Sequence, residues 1–215
     1  MSVAIARPLS LPRPALELAL AASTGAAHLT WHALALPRLP FLVVAIGGWG
    51  GYLVYLAVYE TERFRALGFR TDNLWRAARG PTLIGVCGSA ALLALGLHLG
   101  HGPYPLLAFA TLALYPVWGV IQQFLVHGLV TSNLEKLGAD RGLCVGVAAT
   151  AFSLVHWGEP VLMWATFALG LVFTPMYLRH RNLIPLGVWH GWLGTALFVG
   201  ALGLDPLSRV FPGTG

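Results

Sequence analysis

Apolar residues in this chain run in long windows, each broken by proline, glycine or arginine. Seven windows can be read as helical spans, at about 15–36, 40–59, 81–100, 104–130, 142–157, 160–178 and 183–203. A bilayer core takes roughly 20 apolar residues per helical crossing. The pattern therefore predicts an all-α fold, a polytopic transmembrane helical bundle of about seven spans, built as a single integral membrane domain over 1–215. The first and fifth windows carry the weakest signal. The fourth is longer than one perpendicular crossing needs, so its end is expected to tilt, break or project. No internal repeat or low-complexity segment interrupts the series.

Composition agrees with lipid as the main solvent. Hydrophobic residues make up 57% of the 215 and charged residues only 10%, against about a quarter charged in an ordinary soluble domain. The 13 Lys and Arg, almost all Arg, give a formal net charge of +5. They are concentrated in a few connections, which is the distribution of a topology signal and not of a nucleic-acid surface. Arg63, Arg65, Arg70, Arg76 and Arg79 follow the second window, Lys136 and Arg141 the fourth, and Arg179 and Arg181 the sixth. These are alternate connections, and with Arg7 and Arg13 they predict a cytoplasmic N-terminus and an outward C-terminus, Arg209 dissenting. No charged stretch leads directly into an apolar run with a small-residue cleavage site, so no removable signal peptide is expected. Cys87 and Cys144 both lie in apolar runs, as small buried hydrophobes do, and imply neither a disulfide framework nor a cysteine zinc motif.

Polar residues inside apolar spans are costly and mark either a function or an interhelical hydrogen bond. Three clusters stand out. The fourth window holds Gln122, Gln123 and His127, the last two one turn apart on one face. The fifth sets Phe152 and His156 at i and i+4, and the seventh places His190 ahead of the small residues Gly191, Gly194 and Thr195. Small residues of that kind allow close helix approach.

In order along the chain these clusters read QQFLVHG at 122–128, FSLVH at 152–156 and HGWLG at 190–194. The series resembles the CAAX-protease and bacteriocin-processing (CPBP) family of intramembrane proteases, whose motifs are EExxxRG, FxxxH and HxxxN or HxxxD. The resembling core spans 104–203. It implies a membrane-embedded hydrolase acting on hydrophobic or lipid-modified peptides, with the lipid bilayer and such a peptide as partners, no nucleic acid, and a bacterial inner-membrane location. It also implies a site at Gln122, Gln123, His156 and His190. The departures are specific: Gln122 and Gln123 stand where the family has two glutamates, His127 where it has arginine, and Gly194 where it has Asn or Asp. A neutral amide cannot take a proton from water as a carboxylate does.

Three readings are open. In the first, His127, His156 and His190 form a metal site for zinc or another divalent metal, as neutral imidazoles can. In the second, Glu159, three residues after His156, supplies the missing carboxylate if the helix continues past Gly158 and Pro160. In the third, the chain is a non-catalytic scaffold or peptide-binding relative. A straight fifth span would put His156 near its outer end and His190 near the cytoplasmic end of the seventh, too far apart for one site unless the fifth and sixth helices turn within the bundle. The segment Glu60–Arg65 is expected to be juxtamembrane charge. His28 and His32 share a helix face but read as an interfacial segment around Trp31, and Trp31, Trp49, Trp75, Trp157 and Trp189 read as bilayer-interface anchors.

Overall fold

In hydrocarbon a chain must satisfy its backbone polar groups within each segment, and an α-helix does so. The computed structural model describes residues 12–102 and 106–205, and all regular structure there is helical. Arg7, Arg209 and the N-terminal segment weighed as a signal peptide lie outside the described residues. The order is α1 (Arg13–Ala33), α2 (Arg38–Tyr59), the short α3 (Thr61–Ala66), α4 (Leu74–His98), α5 (Leu106–Gln123), a π-helical stretch (Phe124–Thr131), α6 (Ser132–Lys136), α7 (Arg141–Leu154), α8 (Pro160–His180) and α9 (Ile184–Ala196), which ends in a second π-helical stretch (Leu197–Ala201).

Among the described residues each of the seven expected windows falls on a helix, but only five of these helices are long and apolar enough to cross a bilayer. The two that fall short are the two weakest windows, and for different reasons. α1 carries Glu17, Thr24, His28, Thr30 and His32, which dilute its apolar run. α7 has 14 residues, about 21 Å at 1.5 Å per residue, against about 30 Å of hydrocarbon. Arg76 and Arg79 sit in the first turns of α4 and not in a loop.

The arginine-bearing connections gather at one end of the bundle, as their alternation predicted. Leu183 donates its backbone N–H to Gly68 O at 2.8 Å, Asn73 Nδ2 donates to His180 O at 2.7 Å, and Asn182 Nδ2 donates to Arg70 O at 2.9 Å. Arg181 pairs with Glu135. Below these contacts lies an apolar core of Leu56, Leu67, Phe124, Leu129, Phe173, Tyr177, Leu183 and Leu186. Tyr177 threads its hydroxyl out of this core to Leu67 O at 3.0 Å.

The closest helix contact sets up the site. A Cβ on Gly119 would fall 2.3 Å from Gly187 O, and one on Gly191 would fall 2.6 Å from Pro116 N. With Gly187 and Gly191 four residues apart, α5 and α9 cross in backbone contact, the arrangement that small residues permit in lipid.

Several single-residue expectations change. Cys144 is buried, whereas Cys87 is exposed on α4. Trp75 and Trp157 are exposed as interfacial anchors should be. Trp49 and Trp189 instead pack between helices: Trp49 lies 6.2 Å from the Phe124 ring, and Trp189 donates Nε1–H to Thr82 Oγ1 at 2.9 Å over Gly85.

Candidate functional site

Because α5 and α9 touch at Gly119 and Gly187, Gln122, less than one turn further along α5, faces α9. His190 donates from Nε2 to Gln122 Oε1 at 2.8 Å. An amide oxygen can only accept, so this bond holds the ring as the Nε2–H tautomer and leaves the lone pair on Nδ1. The Phe152 ring, from α7, stacks obliquely on His190 with centroids 5.0 Å apart and lies 6.1 Å from His156. The structure thus brings Gln122 and His190 into direct contact, with His156 and His190 both beside the Phe152 ring. The short α7 explains how the last two approach. Its end stops short of a full crossing, and the turn carrying His156 follows directly on it.

The remaining expected site residues point elsewhere. The π-helical stretch begins at Phe124 and adds a residue to each turn, which re-phases the helix from that point on. Within it His127 faces α8, its Nε2 3.1 Å from Thr174 Oγ1. Gln123 is fully buried, and neither of its amide atoms has a hydrogen-bond partner; His127 Nδ1 and His156 Nε2 are likewise buried without one. Such groups cost about 1–3 kcal/mol each when left unbonded and concentrate where a structure serves something other than stability. Helix α7 ends at Leu154 and Gly158 turns the chain at φ 90°, so His156 and Glu159 do not share a helix face. Glu159 instead forms an ion pair with Arg38 at 3.3 Å.

As arranged, the three histidines do not form one donor set. Among the described residues no group of three or more His, Cys, Asp or Glu stands close enough to hold a metal ion. The Nε2 atoms of His127 and His190 already face Thr174 and Gln122.

Two cavities flank the Gln122–His190 pair. The larger, about 930 Å³, runs along α1 from Leu18 to His32 and is lined opposite by Val126, Val130, Ala151 and Val155. The smaller, about 370 Å³, lies between α4, α8 and α9 and is lined by His190 and Gly194. Tyr115, Trp118, Gln122 and Phe198 line both and form the partition between them. His28 and His32 line the larger cavity. Sequence reasoning did not single out Thr174, Tyr115, Trp118 or Phe198 as members of this region. Thr174 carried a usable signal, a lone hydroxyl deep in an apolar span; the aromatic residues carried none, since only the helix crossing shows which rings face inward.

No curated protein and no solved structure shows significant similarity to the chain. Residues 104–196, which hold Gln122, His127, His156 and His190, match the family described as Type II CAAX prenyl endopeptidase Rce1-like. Over that segment, a little under half of the chain, the sequence is similar to the CAAX-protease and bacteriocin-processing family, and its long apolar helices are those of a membrane protein.

Proposed function

We propose that this protein is a hydrolase of lipid-modified peptides embedded in a bacterial inner membrane, its arginine-bearing end toward the cytoplasm, with His190 as the general base. The carrying observation is the 2.8 Å bond from His190 Nε2 to Gln122 Oε1 at the partition between the two cavities. The larger cavity has the volume and apolar lining that suit a lipid chain. The smaller opens beside the imidazole and suits the peptide.

In this reading Gln122 does not take a proton. It holds the ring, and the Nδ1 lone pair of His190 removes a proton from water as the oxygen attacks the peptide carbonyl. The same proton then passes to the departing amine as the C–N bond breaks, giving one carboxylic acid and one amine. Trp118 and Phe198 shield the pair from bulk water, which strengthens its electrostatics.

The test is turnover of an S-prenylated peptide by protein in liposomes. His190→Ala is expected to lower it by at least about a hundredfold, the usual worth of a positioned base. Gln122→Ala should lower it less, because it frees the ring without removing it. Unchanged turnover in His190→Ala overturns the assignment. A second reading, a peptide-binding scaffold without turnover, is supported by the neutral amide at 122. It takes over if the natural protein binds the peptide uncut while Gln122→Glu cuts it.

A further inference from the structure

The first four helices lie outside the matched segment 104–196, yet α1 forms one long wall of the larger cavity. It runs along that cavity from Leu18 to His32, about 21 Å of helix at 1.5 Å per residue. Along that length one side of α1 faces this volume, while apolar and aromatic contacts hold its other sides: Ala21 packs on the core, Trp49 Nε1 donates to Thr24 Oγ1 at 3.3 Å, His28 lies 5.1 Å from the Phe41 ring, and Gly25 faces Val155. The charged fastenings of this wall lie at its two ends.

The two ends are fastened unequally. At the far end, past α1, Arg38 at the start of α2 meets Glu159 at 3.3 Å, with side chains 39% and 22% exposed. A partly exposed pair of this kind contributes little. At the near end Glu17 is 4% exposed. It accepts hydrogen bonds from Asn133 Nδ2 at 2.9 Å, from Arg13 Nε at 3.3 Å, and from the Tyr52 hydroxyl and Arg63. Its partners thus come from α1, α2, α3 and α6, the last being the end of the helix that carries Gln122. Breaking a buried, multiply bonded carboxylate is the expensive perturbation, not the exposed pair.

We infer that Glu17 is a positioning residue for the lipid part of the substrate: its buried clasp docks α1 and so sets the wall against which a long apolar chain is measured. The inference rests on the reading of the larger cavity as the lipid pocket. It makes selection by chain length a property of the N-terminal helices, separate from the chemistry at His190.

The experiment measures binding of S-alkylated cysteine peptides with short and with long chains to protein in nanodiscs, using quenching of the cavity tryptophans Trp31 and Trp118. The natural protein is expected to bind the long-chain peptide at least tenfold more tightly than the short one. Glu17→Ala should collapse that ratio toward one while leaving short-chain affinity within about twofold, a split that general loss of stability would not produce. Glu17→Gln, which keeps the volume and an acceptor for Asn133, covers failure of the alanine variant to accumulate and should give a smaller loss of the same kind. A Gly25→Cys/Val155→Cys disulfide, at a site where a Cβ on Gly25 lies 3.5 Å from the Val155 side chain, should restore the ratio in the Glu17→Ala background. A length ratio unchanged by either Glu17 substitution overturns the inference and leaves the lipid pocket standing. Absence of binding by any alkylated peptide overturns the pocket itself, and the clasp's role with it.

Discussion

Replacing Gly187 by alanine should uncouple Gln122 from His190 although neither is touched. A Cβ on Gly187 would lie 2.4 Å from Val120 Cα and 2.8 Å from Val120 N, whereas ordinary contact begins near 3.4 Å. Both atoms are backbone, so no side-chain rotation relieves the clash, and α9 must move off α5 by about 1 Å. The His190–Gln122 bond, now 2.8 Å, would stretch to about 3.8 Å, beyond hydrogen-bond range. Overpacking of this kind costs about 1–3 kcal/mol. The diagnostic quantity is the coupling, measured by a double-mutant cycle of reversible unfolding in mixed micelles. In the natural background Gln122→Ala should cost about 1 kcal/mol, within the span found for interhelical bonds in membranes. In the Gly187→Ala background it should cost nearly nothing. An equal cost in both backgrounds would refute the claim that the glycine contact sets the polar pair.

Three further outcomes rest on particular contacts. Arg13 is hydrogen-bonded to Glu60 and holds that carboxyl below its ordinary value of 4.5. The associated stability is complete above about pH 4.5 and is lost as pH falls through the lower folded value, so the unfolding midpoint should drop in acid, and Glu60→Gln should flatten that part of the profile. His127→Ala removes a buried bond to Thr174, whose hydroxyl keeps its 2.6 Å bond to Gly170 O, and leaves a void; it should destabilise by about 1–2 kcal/mol in detergent unfolding, with His127→Asn recovering part of it. Because His127 and His190 are held by Thr174 and Gln122, chelation should leave the unfolding midpoint unchanged; a fall that zinc reverses, and that His127→Ala abolishes, would establish a metal at these histidines.

The helical class, the window positions and the shared end of the arginine connections were all readable from the chain, because lipid imposes long apolar runs and the charges punctuate them. Glu17 was not singled out, since a glutamate near the start of a weak span looks like boundary charge until α3 and α6 are seen to close over it. The face assignments after Phe124 were also out of reach. One helical turn relates Gln123 to His127, but the partners on neighbouring helices could not be read: His127 meets Thr174 while Gln122, not Gln123, meets His190. The depth mismatch between His156 and His190 came from treating the fifth window as a full crossing. Its helix is 14 residues long, and the structure nonetheless brings both rings to Phe152, with centroids 6.1 and 5.0 Å away.

Photo-crosslinking with an S-alkylated peptide bearing a diazirine at the chain end tests the central claim most directly, with the adducts mapped by mass spectrometry. Labelling is expected on the inner wall of the larger cavity, at Leu18, Ala21, Val130 or Val147, and should be displaced by unlabelled peptide. Adducts spread over the outward-facing Val44, Val54 and Val86, undiminished by competitor, would contradict it.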